Sequence, residues 1–179
     1  ASGNRKNKVA LYFWDPTPTP LLPQGRDEKY TFLDLKRLSS KFGNVLKKHA
    51  VKKGDRIGVF LPRTPELYVA ILGIHRVGAI PVPLFEAFME AAVEDRLGDS
   101  ETSVLVTTPE LLKRVPRERL PKLKHVFLAG TPPFEEEMSA ASDKLEPTWL
   151  KKDDGLVIHY TSGSTGKSKG ALHRQYAMV

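Results

Sequence analysis

From residue 31 to residue 128 the chain alternates helix-period segments with short apolar runs, joined by links of only a few residues. The clearest helix begins after Thr31. Its hydroxyl is suited to cap the first turn, Asp34 sits where the acid of a capping box belongs, and Phe32, Leu35, Leu38, Phe42, Val45 and Leu46 recur at helical spacing. Lys47, Lys48 and His49 close it with positive charge at the negative end of the dipole. Gly54 and Asp55 then turn the chain into a strand over 56–61, stopped by Pro62. Thr64 is expected to cap a second helix, with Pro65 at its first position and Gly78 just past its end. A strand over 79–82, a helix over 89–97 stopped by Gly98 and a strand over 103–106 follow. Thr108, Pro109 and Glu110 open a short helix, and 125–128 reads as a further strand. Strand–helix alternation with short links predicts parallel strands covered by helices, an α/β layered parallel-sheet architecture. Such sheets place ligand sites beyond the carboxyl ends of their strands.

The flanking segments read differently. Four of the 14 prolines fall within residues 15–25. Each fixes φ and lacks an amide hydrogen, so this segment is predicted to be a loop between two short strands, one over 9–13 and one near 29–30. Tyr12, Phe13 and Trp14 are expected to pack along an edge strand instead of forming a base-stacking platform. Residues 130–150 look irregular, with Pro132, Pro133 and Pro147 around the acidic run Glu135, Glu136 and Glu137, and predict a surface loop or a short peripheral helix. There is no internal repeat and no low-complexity tract.

The 179 residues are 40% hydrophobic and 27% charged, a globular composition that suits one compact domain or one piece of a larger one. Cysteine is absent, which removes disulfides, thiolate nucleophiles and cysteine zinc sites and suits a reducing compartment. The apolar runs 69–74 and 77–85 fall far below the ~18 residues that span a bilayer. Arg5, Lys6 and Lys8 before an apolar stretch over 9–14 look superficially like a signal peptide. That stretch is shorter than the ~7-residue minimum, and Asp15 and Pro16 end it with no small-residue cleavage site. The expectation is a soluble, cytoplasmic protein without a membrane partner. Lys and Arg number 28 against 21 Asp and Glu, giving +7, which fits either an anionic partner or a solvated basic surface.

Chemistry concentrates in residues 156–170, LVIHYTSGSTGKSKG. A β-run over 156–160 leads into the hydroxyl residues Thr161, Ser162, Ser164 and Thr165, the glycines Gly163, Gly166 and Gly170, and the lysines Lys167 and Lys169. Glycines let a backbone approach a ligand closely, and a run of exposed amides forms an anion-binding nest to which hydroxyl and ammonium groups add donors. The same composition also suits a flexible Gly/Ser loop. Gly166, Lys167 and Ser168 supply the end of a Walker-type phosphate loop, but Thr161 stands where its first glycine belongs, which weakens a Walker NTPase reading. Gly170, Ala171, Leu172 and His173 read as a returning strand, so the nest is predicted at a hairpin tip with no helix dipole behind it. His159 and His173, on apolar runs beside the loop, are expected to pack or to bond backbone instead of acting as general bases. Glu86 and Glu90 are better explained by capping and solvent exposure than as an acid–base pair.

Residues 158–169 resemble, position for position, the ATP phosphate-binding motif of the adenylate-forming superfamily: acyl-CoA synthetases, luciferases and peptide-synthetase adenylation domains. The commonest form of that motif has proline where Ser168 stands. The segments from Tyr30 to Leu35, Lys53 to Ile57, Leu61 to Glu66 and Gly78 to Leu84 are similar to the family's N-terminal pattern, and Pro83 to Met89 is most similar to the acetyl-CoA synthetase branch. The resemblance implies that residues 1–179 are an incomplete N-terminal part of the AMP-binding large domain. Residues 9–155 would be its α/β portion, and 156–179 the phosphate-loop hairpin with the start of the next helix. The C-terminal lysine-bearing domain would be absent, along with the groups that hold adenine, ribose and metal.

It further implies an ATP-dependent carboxylate–CoA ligase, an acid–thiol ligase that activates acetate or another short-chain acid through an acyl-adenylate and then transfers it to coenzyme A, with Mg2+ on the phosphates. Thr161, Ser162, Gly163, Ser164, Thr165 and Gly166 would wrap the β- and γ-phosphates. Lys167 would be the catalytic charge for pyrophosphate departure, with Lys169 assisting. Arg114 and Arg117 would contact the nucleotide end of coenzyme A, the competing reading being ordinary surface arginines. The expected partners are ATP, a short-chain carboxylate, coenzyme A and the remainder of the same enzyme, with self-association through uncovered apolar edges and no nucleic acid. The chain alone is expected to lack turnover. The alternative is a non-catalytic basic nucleotide- or nucleic-acid-binding α/β module, which steep salt dependence would reveal.

Overall fold

Successive residues of a strand point to opposite sides, so an apolar run can feed two cores at once. The structure, a computed structural model, describes residues 5–17, 25–162 and 168–178. Among them the elements run β1 (Val9–Asp15), β2 (Arg26–Thr31), α1 (Phe32–Lys48), β3 (Arg56–Phe60), α2 (Pro65–Arg76), β4 (Ile80–Pro83) and α3 (Glu90–Asp99). There follow β5 (Val104–Thr107), α4 (Pro109–Leu112), β6 (His125–Leu128), α5 (Pro132–Ala140), β7 (Gly155–Ser162) and β8 (Ser168–Arg174). Strands β4, β3, β5 and β6 form, in that order, a parallel sheet, while β1–β2 and β7–β8 are antiparallel hairpins. The layered α/β expectation is met.

The two cores sit on opposite faces of the parallel sheet. Ile57, Val59, Val104 and Val106 pack against Phe42 and Leu46 of α1, Ile74 of α2 and Met138 of α5. Phe60 and Leu105 pack instead against Val93 and Leu97 of α3, Leu111 of α4, and Ile158 and Tyr160 of β7. Gly58 belongs to this second face. A Cβ there would lie 2.7 Å from Leu97 Cδ2 and 2.9 Å from Leu105 Cδ1, so its missing side chain lets α3 settle on the sheet.

Local signals fix the helix ends. The capping box at α1 is complete: Thr31 Oγ1 accepts from the Asp34 amide at 3.1 Å, and Asp34 Oδ2 accepts from the Thr31 amide at 2.9 Å. Three helices end in paired Schellman bonds. After α1, the Ala50 and Val51 amides donate to the Lys47 and Leu46 carbonyls. After α2, Gly78 and Ala79 donate to His75 and Ile74; after α3, Glu101 and Thr102 donate to Gly98 and Leu97. The residue in the left-handed region is glycine only once, at Gly78 (φ +74°); Ala50 (φ +59°) and Glu101 (φ +49°) take it elsewhere.

Several expectations need correction. Helix α3 runs through Gly98 to Asp99, with Met89 as its N-cap, because the chain reverses at Glu101 and not at the glycine. Thr64 occupies the N-cap position of α2, yet its side chain makes no capping bond. Strands β1 and β2 are longer than expected, pairing from Val9 with Thr31 out to Asp15 with Arg26. Tyr12 and Trp14 do not pack: they are 65% and 72% exposed, with Lys29 Nζ over the Tyr12 ring, while Arg26 covers Phe13. Residues 132–140 form a helix that is not merely peripheral, since Met138 enters the core and the Phe134 ring meets those of Phe42 and Phe127. Helix α1 holds it: Lys41 Nζ donates to the Met138 and Ser139 carbonyls, Asn44 to those of Ser142 and Lys144, and Lys48 Nζ meets Glu137 at 2.7 Å. His49 Nε2 also meets Glu137, and these contacts, Lys48 first, hold that carboxyl below its usual range. No helix among the described residues is long and apolar enough to cross a membrane.

Candidate functional site

The β7–β8 hairpin carries the segment singled out above. Its register pairs Tyr160 with Gly170, Thr161 with Lys169 and Ser162 with Ser168, so the ladder continues up to the base of the tip. The expected β-run over 156–160 therefore extends to Ser162, and Thr161 and Ser162 stand at a strand end. Gly163, Ser164, Thr165, Gly166 and Lys167 lie outside the described residues. The Thr161 and Lys169 side chains are exposed at the hairpin's distal end. A strand, not a helix, follows the tip, so any anion there would be held by hydroxyl, amide and ammonium donors without a helix dipole.

The hairpin is aimed by contacts near both of its ends. Tyr160 donates its phenol hydrogen to Asp99 Oδ2 at 2.6 Å, and the Arg96 guanidinium lies 5.8 Å from the Tyr160 ring and 4.1 Å from that of Phe88. Burial, helped by the bond to Asp99, pushes the Tyr160 phenol well above its usual range. Opposite Tyr160, a Cβ on Gly170 would come 3.0 Å from Tyr160 Cζ, so glycine leaves room for the ring to cross the ladder. At the other end, a Cβ on Gly155 would lie 2.5 Å from Ile80 Cδ1, which explains how β7 comes so close to β4. Lys53 Nζ meets Asp154 Oδ2 at 2.6 Å just before β7 begins.

Arg114 and Arg117 sit on the same face of the sheet as Tyr160. Arg114 Nη1 donates to the Glu86 carbonyl at 2.9 Å and faces that of Phe88 at 3.5 Å, while Arg117 is exposed in a 3-10 turn (Arg117–Arg119). Phe88 links the two regions: its carbonyl faces Arg114 and its ring lies under Arg96, which in turn reaches Tyr160. Asp99 and Arg96 were not found from the sequence. They come from a helix about sixty residues upstream of β7, and no local pattern marks them. Glu90 is exposed and pairs with Arg119, as its expected surface role requires. His159 and His173 correct the packing expectation: both are exposed, their rings 5.5 Å apart on one face of the hairpin. Among the described residues no three His, Asp or Glu side chains are grouped to hold a metal.

A layered sheet with a Thr/Ser/Gly/Lys hairpin anchored on one face defines a class, and comparison with known proteins agrees with it. A family profile described as AMP-binding enzyme matches residues 1–179. The acetyl-coenzyme A synthetase of Bacillus subtilis (strain 168) is 50% identical over all of this chain, and that of Desulfatibacillum aliphaticivorans is 36% identical over 94% of it. Among solved structures, a Brucella canis acyl-CoA synthetase superimposes with a TM-score of 0.81 at 32% identity over 98% of this chain and 32% of its own. The anthranilate CoA ligase AuaEII in complex with anthranoyl-AMP gives 0.80 at 28% identity over 96% of this chain and 31% of its own. The chain belongs to the AMP-binding enzyme family. It spans 32% and 29% of the length of the two synthetases named.

Proposed function

We propose that this chain is the phosphate-gripping portion of an ATP-dependent carboxylate–CoA ligase acting on acetate or another short-chain acid. The observation that carries the reading is the β7–β8 ladder, which brings Thr161 and Lys169 face to face at the base of the Ser/Thr/Gly/Lys tip. The identity to acetyl-coenzyme A synthetases supports the substrate class. A carboxylate is a poor electrophile. Its oxygen attacks the α-phosphorus of ATP, pyrophosphate leaves, and the thiol of coenzyme A then displaces AMP from the acyl-adenylate. Thr161, Ser162, Gly163, Ser164, Thr165 and Gly166 wrap the β- and γ-phosphates, and Lys167, with Lys169, offsets the charge of the departing pyrophosphate. Mg2+ bound with the nucleotide would supply further charge neutralisation at the phosphates. Arg114 and Arg117 border the face on which the nucleotide end of coenzyme A rests.

Leu172 of β8 and Tyr176 just after it, 51% and 71% exposed, suit a face that meets the remainder of the same polypeptide. The chain alone binds nucleotide phosphates without turnover, because stabilising the adenylation transition state takes more groups than these residues supply. Calorimetry with ATP tests the grip: Lys167→Ala should weaken binding at least about tenfold, the loss of roughly one charge-assisted bond. Equal affinity of the two forms would refute the assignment. AMP formed above a blank from ATP, acetate and coenzyme A would refute the lack of turnover.

A further inference from the structure

A cavity of about 170 Å³ opens beyond the carboxyl ends of β3 and β6, where Leu61 and Ala129 leave the sheet. Its walls belong to the core shared by α1, α2 and α5, whereas β7 packs into the core on the opposite face. A ligand here would therefore not meet the hairpin. The body is apolar, with Phe42, Phe134, Val69 and Met138 around it. The rim is polar and carries Tyr30, Glu66 and Glu135. An apolar body with a few convergent polar groups, at the carboxyl end of a parallel sheet, is the usual form of a small-molecule site.

Size and charge narrow the occupant. The volume slightly exceeds the about 150 Å³ of an apolar cavity that takes benzene, and two phenylalanine rings line the wall. At the rim, Arg26 bonds Glu28 twice at 2.9 Å and Glu66 at 3.0 Å, and the Tyr30 phenol donates to Glu28 at 2.7 Å. Glu28 and Glu66 thus share one guanidinium, and Glu135 adds a third carboxylate to the rim, which is rich in acceptors and net negative. We propose that this cavity is a second ligand site, distinct from the phosphate hairpin, for a small aromatic molecule bearing a primary ammonium group. The ring fills the apolar body, and the ammonium donates to Glu66 and Glu135.

The test titrates benzylamine, benzoate and benzyl alcohol into the full chain and follows the methyl resonances of Val69 and Met138. Benzylamine should shift them saturably in about the millimolar range, as expected for so few heavy atoms. Benzoate, of equal size and opposite charge, should bind at least about fivefold more weakly. Glu66→Gln with Glu135→Gln should weaken benzylamine about fivefold and leave benzyl alcohol unchanged. Ala70→Leu, which fills the cavity, should abolish the shifts. Absence of saturable shifts with benzylamine, equal binding of benzoate, or shifts that survive Ala70→Leu in a folded protein would each overturn the proposal. The charge variants keep it falsifiable if Ala70→Leu does not fold. ATP affinity measured in the same samples should not change, so failure of this site and failure of the hairpin assignment are separable.

Discussion

Replacing Ala50 by glycine should stabilise this protein, although the change removes a methyl group. Ala50 ends α1 at φ +59°, where an L side chain crowds the following carbonyl at about 1–2 kcal/mol. Glycine escapes that crowding but loses about 0.5–1 kcal/mol more backbone freedom on folding. The methyl is exposed, so little burial is lost. The net expectation is a gain of about 0.5–1 kcal/mol, read as a shift of the urea midpoint at constant slope or a rise in Tm of about 1–4 °C. Glu101→Gly should gain less. Its backbone is equally strained at φ +49°, but the change deletes the 3.3 Å pair with Arg56, which at 33% and 59% side-chain exposure contributes only a few tenths of a kcal/mol. Gly78→Ala should do the reverse and lose about 1–2 kcal/mol, since it sits at φ +74° and a Cβ would lie 3.0 Å from Thr148 Cγ2. A loss of stability in Ala50→Gly, or a gain in Gly78→Ala, would refute the account of the three helix ends.

Tyr160→Phe keeps the ring and deletes one bond to a carboxylate that water can resolvate, so it should lower stability by about 1 kcal/mol and speed amide exchange in β7 and β8 more than in β3. In an Asp99→Asn background the same change should have little further effect; additive losses would argue against the anchor. Because the Tyr160 phenol is raised, this contribution is fully present below the unfolded value near 10 and is lost as pH climbs through the folded one, a decline that Tyr160→Phe should flatten. Thr31→Ala should cost about 1 kcal/mol. The Asp34 carboxyl is held below 3.8 by its bonds to Thr31, so the box is intact above that value and is lost as pH falls through the lower folded one; an acid-unfolding curve unchanged by Thr31→Ala would contradict this.

Sequence reading succeeded where structure is set by near neighbours. Thr31 and Asp34 announce α1 because capping needs only four residues of chain, and Gly78 announces the end of α2 because a left-handed turn is easiest for glycine. The same logic misplaced the end of α3. Gly98 looks like a stop, yet the Schellman bonds form around Glu101, and no local signal marks a glutamate in that conformation. Helix α5 was obscured for a related reason. It has few apolar residues and opens on two prolines, and its order depends on Lys41, Asn44, Lys48 and His49 reaching across from α1. The β7–β8 hairpin was legible in composition and in the pairing of its strands. Its aim was not, because Asp99 and Arg96 meet Tyr160 only after α3 has docked on the sheet.

Residue order alone therefore settled the α/β class, the parallel crossovers and the strand pairing on either side of the hydroxyl- and lysine-rich tip, since each follows from spacing, caps and side-chain type within a short stretch. Tertiary structure decided which side of the sheet each strand residue feeds and where the hairpin is anchored. It also left a cavity with an acidic rim at the opposite face. Those outcomes depend on side chains that are far apart along the chain and become neighbours only when the helices pack, so no local pattern could encode them.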